Sequence, residues 1–315
     1  MSEEYIIERL TVSKKIAAII VTYNPDIKIL QQQVEILLSQ VQIIVYVDNA
    51  SLNASRINDF ISLIDKERVQ IILIENEDNK GLGFAQNRGI EAALAEQATQ
   101  ILLLDDDSVI EEHFIDNLLH AKGELTERDI KVGAIGPTYY NKDSGEQYPI
   151  TKYVGPFIDR RLPKETSVEA SFLIASGCLI DSSVIEEVGL LNEDFFIDYI
   201  DVEWSFRAIS MGYKLYATPH AKMNHIIGEK RVSIFGRKIS LHSPLRKYYL
   251  FRNSVFMIKC PYISTGYKIR ELIFNGLRLV VFLVLSNEKK KYFKYSVMGY
   301  WDGLRNKKGK CTYNY

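Results

Sequence analysis

Residues 101–107 read ILLLDDD, a run of four apolar side chains followed at once by three aspartates. Such a run is typical of a strand that is buried on both faces of a sheet. Three similar runs come earlier in the chain, at residues 16–22 (IAAIIVT), 43–47 (IIVYV) and 69–74 (VQIILI), and helix-like segments separate them. Buried strands that alternate with helices predict an α/β fold with a mostly parallel sheet flanked by helices.

Polar side chains follow each of the four predicted strands. They lie at residues 22–24 (TYN), 48–49 (DN), 76–83 (NEDNKGLG) and 105–107 (DDD). The carboxyl ends of parallel strands meet at one edge of a sheet, and ligands bind there in open α/β folds. The pattern therefore predicts one ligand site rather than four unrelated loops.

The three aspartates at residues 105–107 repel one another unless a cation offsets their charge. Side chains two residues apart can face one ion, so Asp105 and Asp107 form the natural pair of ligands. Carboxylate oxygens suit Mg²⁺ or Mn²⁺, and these ions commonly bridge to substrate phosphates. A solvated acidic turn is the alternative, but the buried strand and the other polar strand ends favour a metal–phosphate site.

Two further segments carry groups that can bind a ligand. Residues 79–89 (NKGLGFAQNRG) join the third strand to a helix, and their glycines permit a close approach of the backbone to an anion at the helix N-terminus. A tight turn is the alternative for these glycines. His225 follows the last predicted strand, where a neutral imidazole can complete a divalent metal site or serve only the structure. The remaining histidines are interpreted as structural: His113, His120, His220 and His242.

Residues 192–207 (NEDFFIDYIDVEWSFR) place five acids among aromatic side chains. Asp201 is predicted to open a helix with Glu203 in its first turn, and acids are favoured there by the helix dipole alone. Burial beside apolar groups also raises the proton affinity of a carboxylate, as a general base requires. Helix capping and general-base catalysis are therefore both open for this segment.

Three more segments join these motifs in one order along the chain: residues 175–180 (ASGCLI), 224–228 (NHIIG) and 248–253 (YYLFRN). Together the motifs resemble the inverting nucleotide-sugar glycosyltransferases of glycosyltransferase family 2, and most closely its bacterial rhamnosyltransferases. The resemblance spans roughly residues 15–255. It implies the GT-A fold, which is a Rossmann-like, mostly parallel sheet flanked by helices, here with a basic helical region at the C-terminus.

The resemblance implies roles for the matching residues. Asp201 would be the catalytic base with Glu203 beside it, and Asp201 is favoured because many relatives have Glu-Asp where this chain has Ile200-Asp201. Mg²⁺ or Mn²⁺ would be held by Asp105, Asp107 and His225. The nucleotide sugar would be bound by Thr22, Tyr23, Asn24, Asp48, Lys80, Gly81, Asn87, Asp105, Asp106, Gly177 and Trp204.

The implied reaction is metal-dependent, inverting transfer of L-rhamnose from dTDP-L-rhamnose to a glycan acceptor, linked to polyprenyl diphosphate, in bacterial cell-surface polysaccharide synthesis. UDP-galactofuranose or a UDP-hexose is the alternative donor. A non-catalytic nucleotide-sugar-binding protein is an alternative of another class, and the intact Asp105, Asp107 and Asp201 argue against it. A nucleotidyltransferase is disfavoured because an N-terminal Gly-rich signature with Arg and Lys is absent.

The charge of the chain divides near residue 220. The net charge is −1, but residues 221–315 carry 20 Lys and Arg against 4 Asp and Glu, a net +16, and the first 220 residues carry −17. Cations interleaved with aromatic and aliphatic residues at helical spacing are typical of helices that lie on anionic membranes. We expect a catalytic domain at residues 14–240 and a basic amphipathic helical region at 241–315.

Other partners for the basic region are a packed helical subdomain, a homodimer interface and nucleic acid. Nucleic acid is disfavoured because the region has no nucleic-acid-binding motif and is rich in apolar residues. Three scattered cysteines indicate a reducing compartment. Residues 1–15 lack the pattern of a signal peptide, and no segment approaches the roughly 20 apolar residues of a membrane span. We therefore expect a cytoplasmic protein that is peripheral on the inner face of the cell membrane.

Overall fold

The computed structural model describes residues 14–65, 67–141, 144–225, 231–234, 237–240, 243–285 and 288–313, with no side-chain description for residues 225 to 242 or 285. Its strands are β1 (Ile16–Thr22), β2 (Ile43–Asp48), β3 (Gln70–Glu75), β4 (Gln100–Asp105), β5 (Val132–Asn141), β6 (Ile150–Val154), β7 (Phe157–Arg161), β8 (Val168–Ala170), β9 (Cys178–Asp181), β10 (Lys214–His225), β11 (Arg231–Ile234) and β12 (Arg237–Ser240). Its helices are α1 (Ile27–Leu37), α2 (Ala54–Ser62), α3 (Leu82–Ala95), α4 (Phe114–Thr126), α5 (Ser182–Val188), α6 (Ile200–Ser210), α7 (Pro244–Lys259), α8 (Thr265–Leu285) and α9 (Lys289–Leu304).

The central sheet has the strand order β3–β2–β1–β4–β9–β5–β10–β8. The first four strands are parallel, β9 is antiparallel to β4 and β5, and β8 is antiparallel to β10. Thr22 of β1 pairs with Asp48 of β2, and Val21 pairs with Asp105 of β4. The polar ends of these strands therefore lie at one edge of the sheet, as the sequence predicts.

Helices bury both faces of β1, β2 and β4, whereas β3 at the edge of the sheet is only partly buried. Ala17, Ile19 and Val21 of β1 belong to a core with α3 and α6. The alternate residues of β1 belong to a second core with α1, α2 and α4 on the opposite face. Apolar side chains at every position of the strand are stable because neither face meets water. The predicted α/β fold with a mostly parallel sheet is confirmed.

Three parts of the fold go beyond the elements that the sequence predicts. Strand β9 begins only at Cys178, because Gly177 adopts a left-handed φ of +85° that interrupts the extended backbone. Helix α4 and the β6–β7 hairpin are additional elements. Strand β10 runs on past Pro219, with a register shift between Ala217 and Lys222 that accommodates the missing N–H of the proline.

The C-terminal helices form a compact unit next to the sheet. Gly299 of α9 packs against the backbone of α7, where an added Cβ would lie 2.2 Å from the carbonyl oxygen of Tyr248. Among the described helices, none combines the length and the apolar run needed to cross a bilayer. The domain boundary predicted at 240/241 falls beside residues 241 and 242, which lie outside the described residues, and it stays a prediction.

Candidate active site

A cleft of about 260 Å³ opens at the carboxyl ends of β1 and β4. Five of its lining residues are predicted site residues, namely Tyr23, Gly81, Asp105, Asp106 and Asp107. The other lining residues are Val21, Asn49, Asn79, Leu82, Phe196 and Ile197. The cleft thus brings together residues of β1 and of the loop after β4, with Val21 and Asp107 86 positions apart in sequence (107 − 21), and two residues of the segment just before α6.

The aspartates at the end of β4 are held by their backbone and by one neighbouring loop. The Asp105 N–H donates to Ser176 Oγ at 2.9 Å, and Gln33 Nε2 donates to the Asp105 carbonyl oxygen at 3.0 Å. Asp106 Oδ2 accepts from the Tyr23 N–H at 3.1 Å. The side chain of Asp107 is exposed. Backbone anchoring leaves the carboxylates of Asp105 and Asp107 available to a ligand.

The charge of these carboxylates is poorly compensated within the protein. Burial raises the pKa of Asp105 to about 7, and the charges of Asp107, Asp106 and Asp201 add to the shift, while the Arg246 guanidinium opposes it. Burial also raises the pKa of Asp106 to about 6, partly offset by the Tyr23 N–H. A cluster of carboxylates in which two pKa values are raised for lack of positive charge fits a bound cation.

The structure describes the side chains of two of the three predicted metal ligands. Asp105 and Asp107 line the cleft, whereas the His225 side chain lies outside the described part of the chain. Across the described residues, no group of three or more His, Cys, Asp or Glu side chains is arranged to hold a metal. Two carboxylates still fit Mg²⁺ or Mn²⁺, because Mg²⁺ keeps several waters and shares the phosphate oxygens of its substrate.

Three residues predicted to bind the nucleotide, Thr22, Asn24 and Asp48, form hydrogen bonds that hold the loops beside the cleft. The Thr22 hydroxyl donates to Asp48 Oδ1 at 2.9 Å, and the Ser51 N–H donates to Asp48 Oδ2 at 2.9 Å. Asp48 is only 2% exposed. Asn24 accepts from the Leu52 N–H at 2.7 Å through its side chain. These residues shape the loops after β1 and β2.

The glycine-rich turn before α3 meets the segment that precedes α6. Gly81 has a φ of +96°, and an added Cβ would lie 2.7 Å from the Phe196 carbonyl oxygen, so only glycine permits this approach. Asn87 is buried, and its amide bonds to both the N–H and the carbonyl oxygen of Leu191. Lys80 is exposed and pairs with Asp78 at 2.8 Å. Of these predicted residues, Gly81 alone lines the cleft.

Asp201 stands in the first turn of α6, as predicted, and is partly buried. Its Oδ1 accepts from the Val202 N–H at 2.8 Å. Burial raises its pKa to about 6, the backbone hydrogen bonds of Val202 and Ala175 oppose this shift, and the charge of Asp198 adds to it. The carboxylate therefore has the proton affinity of a general base that works near neutral pH.

Glu203 and Trp204 follow Asp201, but their polar side-chain groups are hydrogen-bonded within the protein. Glu203 is 1% exposed, and its carboxylate accepts from Arg207 Nε at 3.0 Å and from the Tyr262 hydroxyl. Trp204 Nε1 donates to the Gly189 carbonyl oxygen at 2.9 Å. This geometry favours a structural role for Glu203 over the catalytic role that the resemblance implies.

Gly177 lies behind the aspartates rather than along the cleft. Its N–H donates to the Leu103 carbonyl oxygen at 2.7 Å, and an added Cβ would lie 2.8 Å from Pro137 Cγ. The preceding residue, Ser176, is the one that holds the Asp105 backbone. Contact of Gly177 with a sugar stays a prediction.

Several residues of the site have no role in the sequence prediction. Asn49 lies at the predicted polar end of β2, residues 48–49, but it is not among the predicted ligands. Phe196 and Ile197 carry no such signal, because apolar side chains in an acidic segment look like ordinary core residues. Arg246 is close enough to act on the charge of Asp105, yet it lies in α7, far along the chain.

The profile of Glycosyl transferase family 2 matches residues 17–189, which include every strand end of the cleft. The chain belongs to glycosyl transferase family 2. This family 2 glycosyltransferase is 32% identical over 307 residues to the dTDP-rhamnosyl transferase RfbF of Shigella flexneri, across 96% of this chain and 99% of that protein. It is 25% identical over 317 residues to the low-salt glycan biosynthesis hexosyltransferase Agl10 of Haloferax volcanii, across 95% of this chain and 94% of that protein.

Solved structures with the same architecture include the mannosyltransferase PcManGT from Pyrobaculum calidifontis in complex with GDP-Man and Mn²⁺. Its TM-score with this glycosyltransferase is 0.57 at 14% identity, and the match covers 95% of this chain and 89% of that chain. A likeness at this identity concerns the fold. The predicted GT-A fold is confirmed.

Proposed function

We propose that this glycosyltransferase is an inverting, metal-dependent hexosyltransferase that moves L-rhamnose from dTDP-L-rhamnose to a glycan acceptor in bacterial surface polysaccharide synthesis. The observation that carries the proposal is that the cleft lined by Asp105, Asp106 and Asp107 has a second acid group behind it, Asp201, which lies close enough for its charge to act on Asp105. A cation site beside a separate, desolvated base is what single displacement of a nucleoside diphosphate requires. The similarity to a relative named as a dTDP-rhamnosyl transferase, along nearly the full length, supports rhamnose as the sugar.

The cleft aspartates and Asp201 have different tasks in the proposed transfer. A divalent ion held by Asp105 and Asp107 would neutralise the charge of the leaving diphosphate. Asp201 takes the proton from an acceptor hydroxyl, and the oxygen attacks the anomeric carbon on the face opposite the diphosphate. This single displacement inverts the configuration at that carbon.

The predicted nucleotide-sugar ligands form two groups in this proposal. Tyr23, Gly81, Asp105 and Asp106 line the cleft and would contact the donor. The others have their polar groups bonded within the protein and would support the pocket from behind: Thr22, Asn24, Asp48, Asn87 and Trp204. Gly177, which lies behind the aspartates, belongs with this supporting group. Donor contact by the exposed Lys80 and metal contact by His225 complete the proposed set.

A donor panel tests the proposed sugar. The full chain is incubated with Mg²⁺ and dTDP-L-rhamnose, UDP-galactofuranose or UDP-hexoses, and nucleoside diphosphate release is measured with and without a lipid-linked glycan acceptor. We expect release from dTDP-L-rhamnose at least tenfold above every UDP-sugar, and acceptor-dependent. Release from a UDP-sugar with none from dTDP-L-rhamnose would replace the proposed donor by the UDP-hexose alternative.

We further propose that the acceptor is lipid-linked and that α8 and α9 rest on the cytoplasmic face of the membrane. Helix α8 carries exposed apolar side chains at helical spacing, from Ile269 through Ile273, Leu277 and Val280 to Val284. Helix α9 has a matching stripe: Phe293, Val297, Tyr300, Trp301 and Leu304. A groove of about 390 Å³ lies between α8 and α9, and Leu272 of α8 and Val297, Tyr300 and Trp301 of the α9 stripe line it. Apolar area of this extent on a helix pair supports burial in a membrane interface.

The charges beside these stripes support an anionic lipid surface rather than a second copy of the chain. Exposed Lys289, Lys290, Lys291 and Lys294 occupy the start of α9. The guanidinium of Arg305 lies 4.5 Å from the Trp301 ring at the other end. Anionic headgroups complement these cations, whereas a second copy would present the same positive charge.

Replacing Lys289, Lys290 and Lys294 with Gln is expected to weaken binding to phosphatidylglycerol vesicles roughly 100-fold, at about 1 kcal/mol per lysine. Vesicle flotation measures the bound fraction. The matched control replaces three exposed lysines of the catalytic domain, Lys28, Lys164 and Lys214, and should float like the parent. Equal flotation of the two triple variants, or a parent that stays in the dense fraction as a dimer, would contradict membrane docking.

A further inference from the structure

The segment just before α6 holds an unusual backbone. Phe196, Asp198 and Tyr199 all have left-handed φ values, of +61°, +63° and +67°. Such values are uncommon for residues other than glycine, and they persist only where surrounding contacts fix them. The contacts that fix this segment, residues 194–199, come from the C-terminal helices.

Helix α7 binds the carbonyl oxygens of this segment. Asn253 Nδ2 donates to the carbonyl oxygens of Phe195, Ile197 and Asp198 at 2.9, 2.7 and 3.0 Å. Arg252 Nη2 donates to the carbonyl oxygen of Phe195 at 2.8 Å. Arg252 and Asn253 have no solvent exposure. These donors satisfy backbone acceptors that the left-handed turns leave outside any helix or sheet.

Two side chains of the segment are also fixed by the C-terminal helices. Asp198 accepts two hydrogen bonds from Arg246 Nε, each 3.2 Å long, and one from Nη2 at 2.9 Å. The Tyr199 hydroxyl accepts from Arg278 Nη1 at 3.0 Å and donates to Glu271, which is 1% exposed. Helices α7 and α8 therefore hold residues 194–199 by hydrogen bonds to both their backbone and their side chains.

The segment in turn positions both halves of the candidate active site. Phe196 and Ile197 line the cleft, and the Phe196 carbonyl oxygen accepts from the Leu82 N–H at 2.6 Å. The Tyr199 carbonyl oxygen accepts from the Glu203 N–H at 2.8 Å, which starts the helix that carries Asp201. A shift of this backbone moves the wall of the cleft and the carboxylate of Asp201 together.

We propose that Arg246, Asn253 and Glu271 are positioning residues for Asp201, so that the C-terminal helices complete the active site and are more than a membrane anchor. The proposal rests on the proposed function of Asp201 as the base. It predicts that changes in α7 or in Tyr199, none of which touches the reacting atoms, lower kcat without loss of fold.

The Asn253→Asp substitution tests the hydrogen bonds from α7 to the backbone of residues 194–199. It keeps the size of the side chain but turns three donated hydrogen bonds into repulsion between oxygens. The matched control is Asn117→Asp, the same change at an amide of α4 that donates to the His220 carbonyl oxygen and bonds to no residue of 194–199. We expect kcat per folded molecule to fall at least 100-fold in Asn253→Asp and less than threefold in Asn117→Asp.

Tyr199→Phe keeps the test decisive should Asn253→Asp fail to fold, because it removes only one hydroxyl. We expect about tenfold lower kcat, a donor KM within twofold of the parent, and a larger share of donor hydrolysis relative to transfer. A purely structural role would lower only the folded fraction, as measured by thermal unfolding.

Unchanged kcat and transfer share in folded Tyr199→Phe would overturn the proposal. Asp201→Asn is assayed in parallel to separate this inference from the proposed function. An active Asp201→Asn variant removes the base itself. An inactive Asp201→Asn variant beside a fully active Tyr199→Phe variant removes only the positioning role.

Discussion

Asp201→Asn is expected to lower kcat for sugar transfer by about 10²–10⁴-fold, the range that a positioned general base contributes. The amide has the size of the carboxylate but cannot take the proton of an acceptor hydroxyl. Donor affinity should stay within twofold, because Asp201 is not among the residues that line the donor cleft. Single-turnover transfer and calorimetric titration with dTDP-L-rhamnose measure the two quantities separately.

Asp194→Asn is the matched control for this substitution. Asp194 lies in the same acidic segment, and its carboxylate forms a half-exposed ion pair with Lys308 at 2.8 Å. Surface pairs of this kind contribute little, so kcat and stability should stay close to the parent values. Near-normal transfer by Asp201→Asn would remove it as the base.

The same residue sets the expected pH dependence of the parent enzyme. Burial raises the pKa of Asp201 to about 6, and only the ionised carboxylate can accept a proton. The transfer rate should therefore be level above this pKa and fall about tenfold per pH unit below it. An acid limb near the ordinary pKa of an exposed aspartate would show that the base is another group or is not desolvated.

Removal of divalent cations is expected to reduce transfer about 10³-fold, since a Lewis acid contributes several kcal/mol to a charged transition state. The leaving diphosphate would otherwise face the uncompensated carboxylates of Asp105 and Asp107. Transfer after EDTA treatment and desalting measures the loss, and added Mg²⁺ or Mn²⁺ should restore the rate. A full rate after rigorous chelation would contradict metal dependence.

Asp107→Asn separates metal binding from other effects of chelation. It should weaken Mn²⁺ binding at least tenfold, measured directly by electron paramagnetic resonance, and should raise the Mn²⁺ concentration needed for half-maximal rate. Asp116→Asn, at an exposed acid in the first turn of α4, is the control and should leave both quantities unchanged. Equal Mn²⁺ affinity in the two variants would exclude Asp107 as a ligand.

Much of the site could be predicted because it is built from local patterns. The run ILLL followed by aspartates specifies both a buried strand and a polar end, and the parallel register then places Asp105 beside Val21. The same reasoning brings Tyr23, Gly81 and Asp106 to the cleft. It works because the ends of parallel strands must share one edge of the sheet.

Other predicted ligands needed the tertiary structure, since residue type alone cannot say where a polar group finds its partner. Asp48 and Glu203 look like Asp105 and Asp201 in sequence, but their oxygens are used by Ser51 and Arg207. Whether a carboxylate is available to a ligand or is hydrogen-bonded within the protein depends on residues that only folding brings close to it.

The sequence by itself determined the α/β sheet, the edge that carries the site and the division of charge between an acidic body and a basic C-terminal region. Those features follow from apolar periodicity and composition, which depend only on residues that are close together in sequence. Only the tertiary structure decided that α7 and α8 form hydrogen bonds with the segment before Asp201. That contact joins residues about 50 to 80 positions apart, and hydrogen bonds such as Asn253 to Ile197 leave no periodic trace in the sequence.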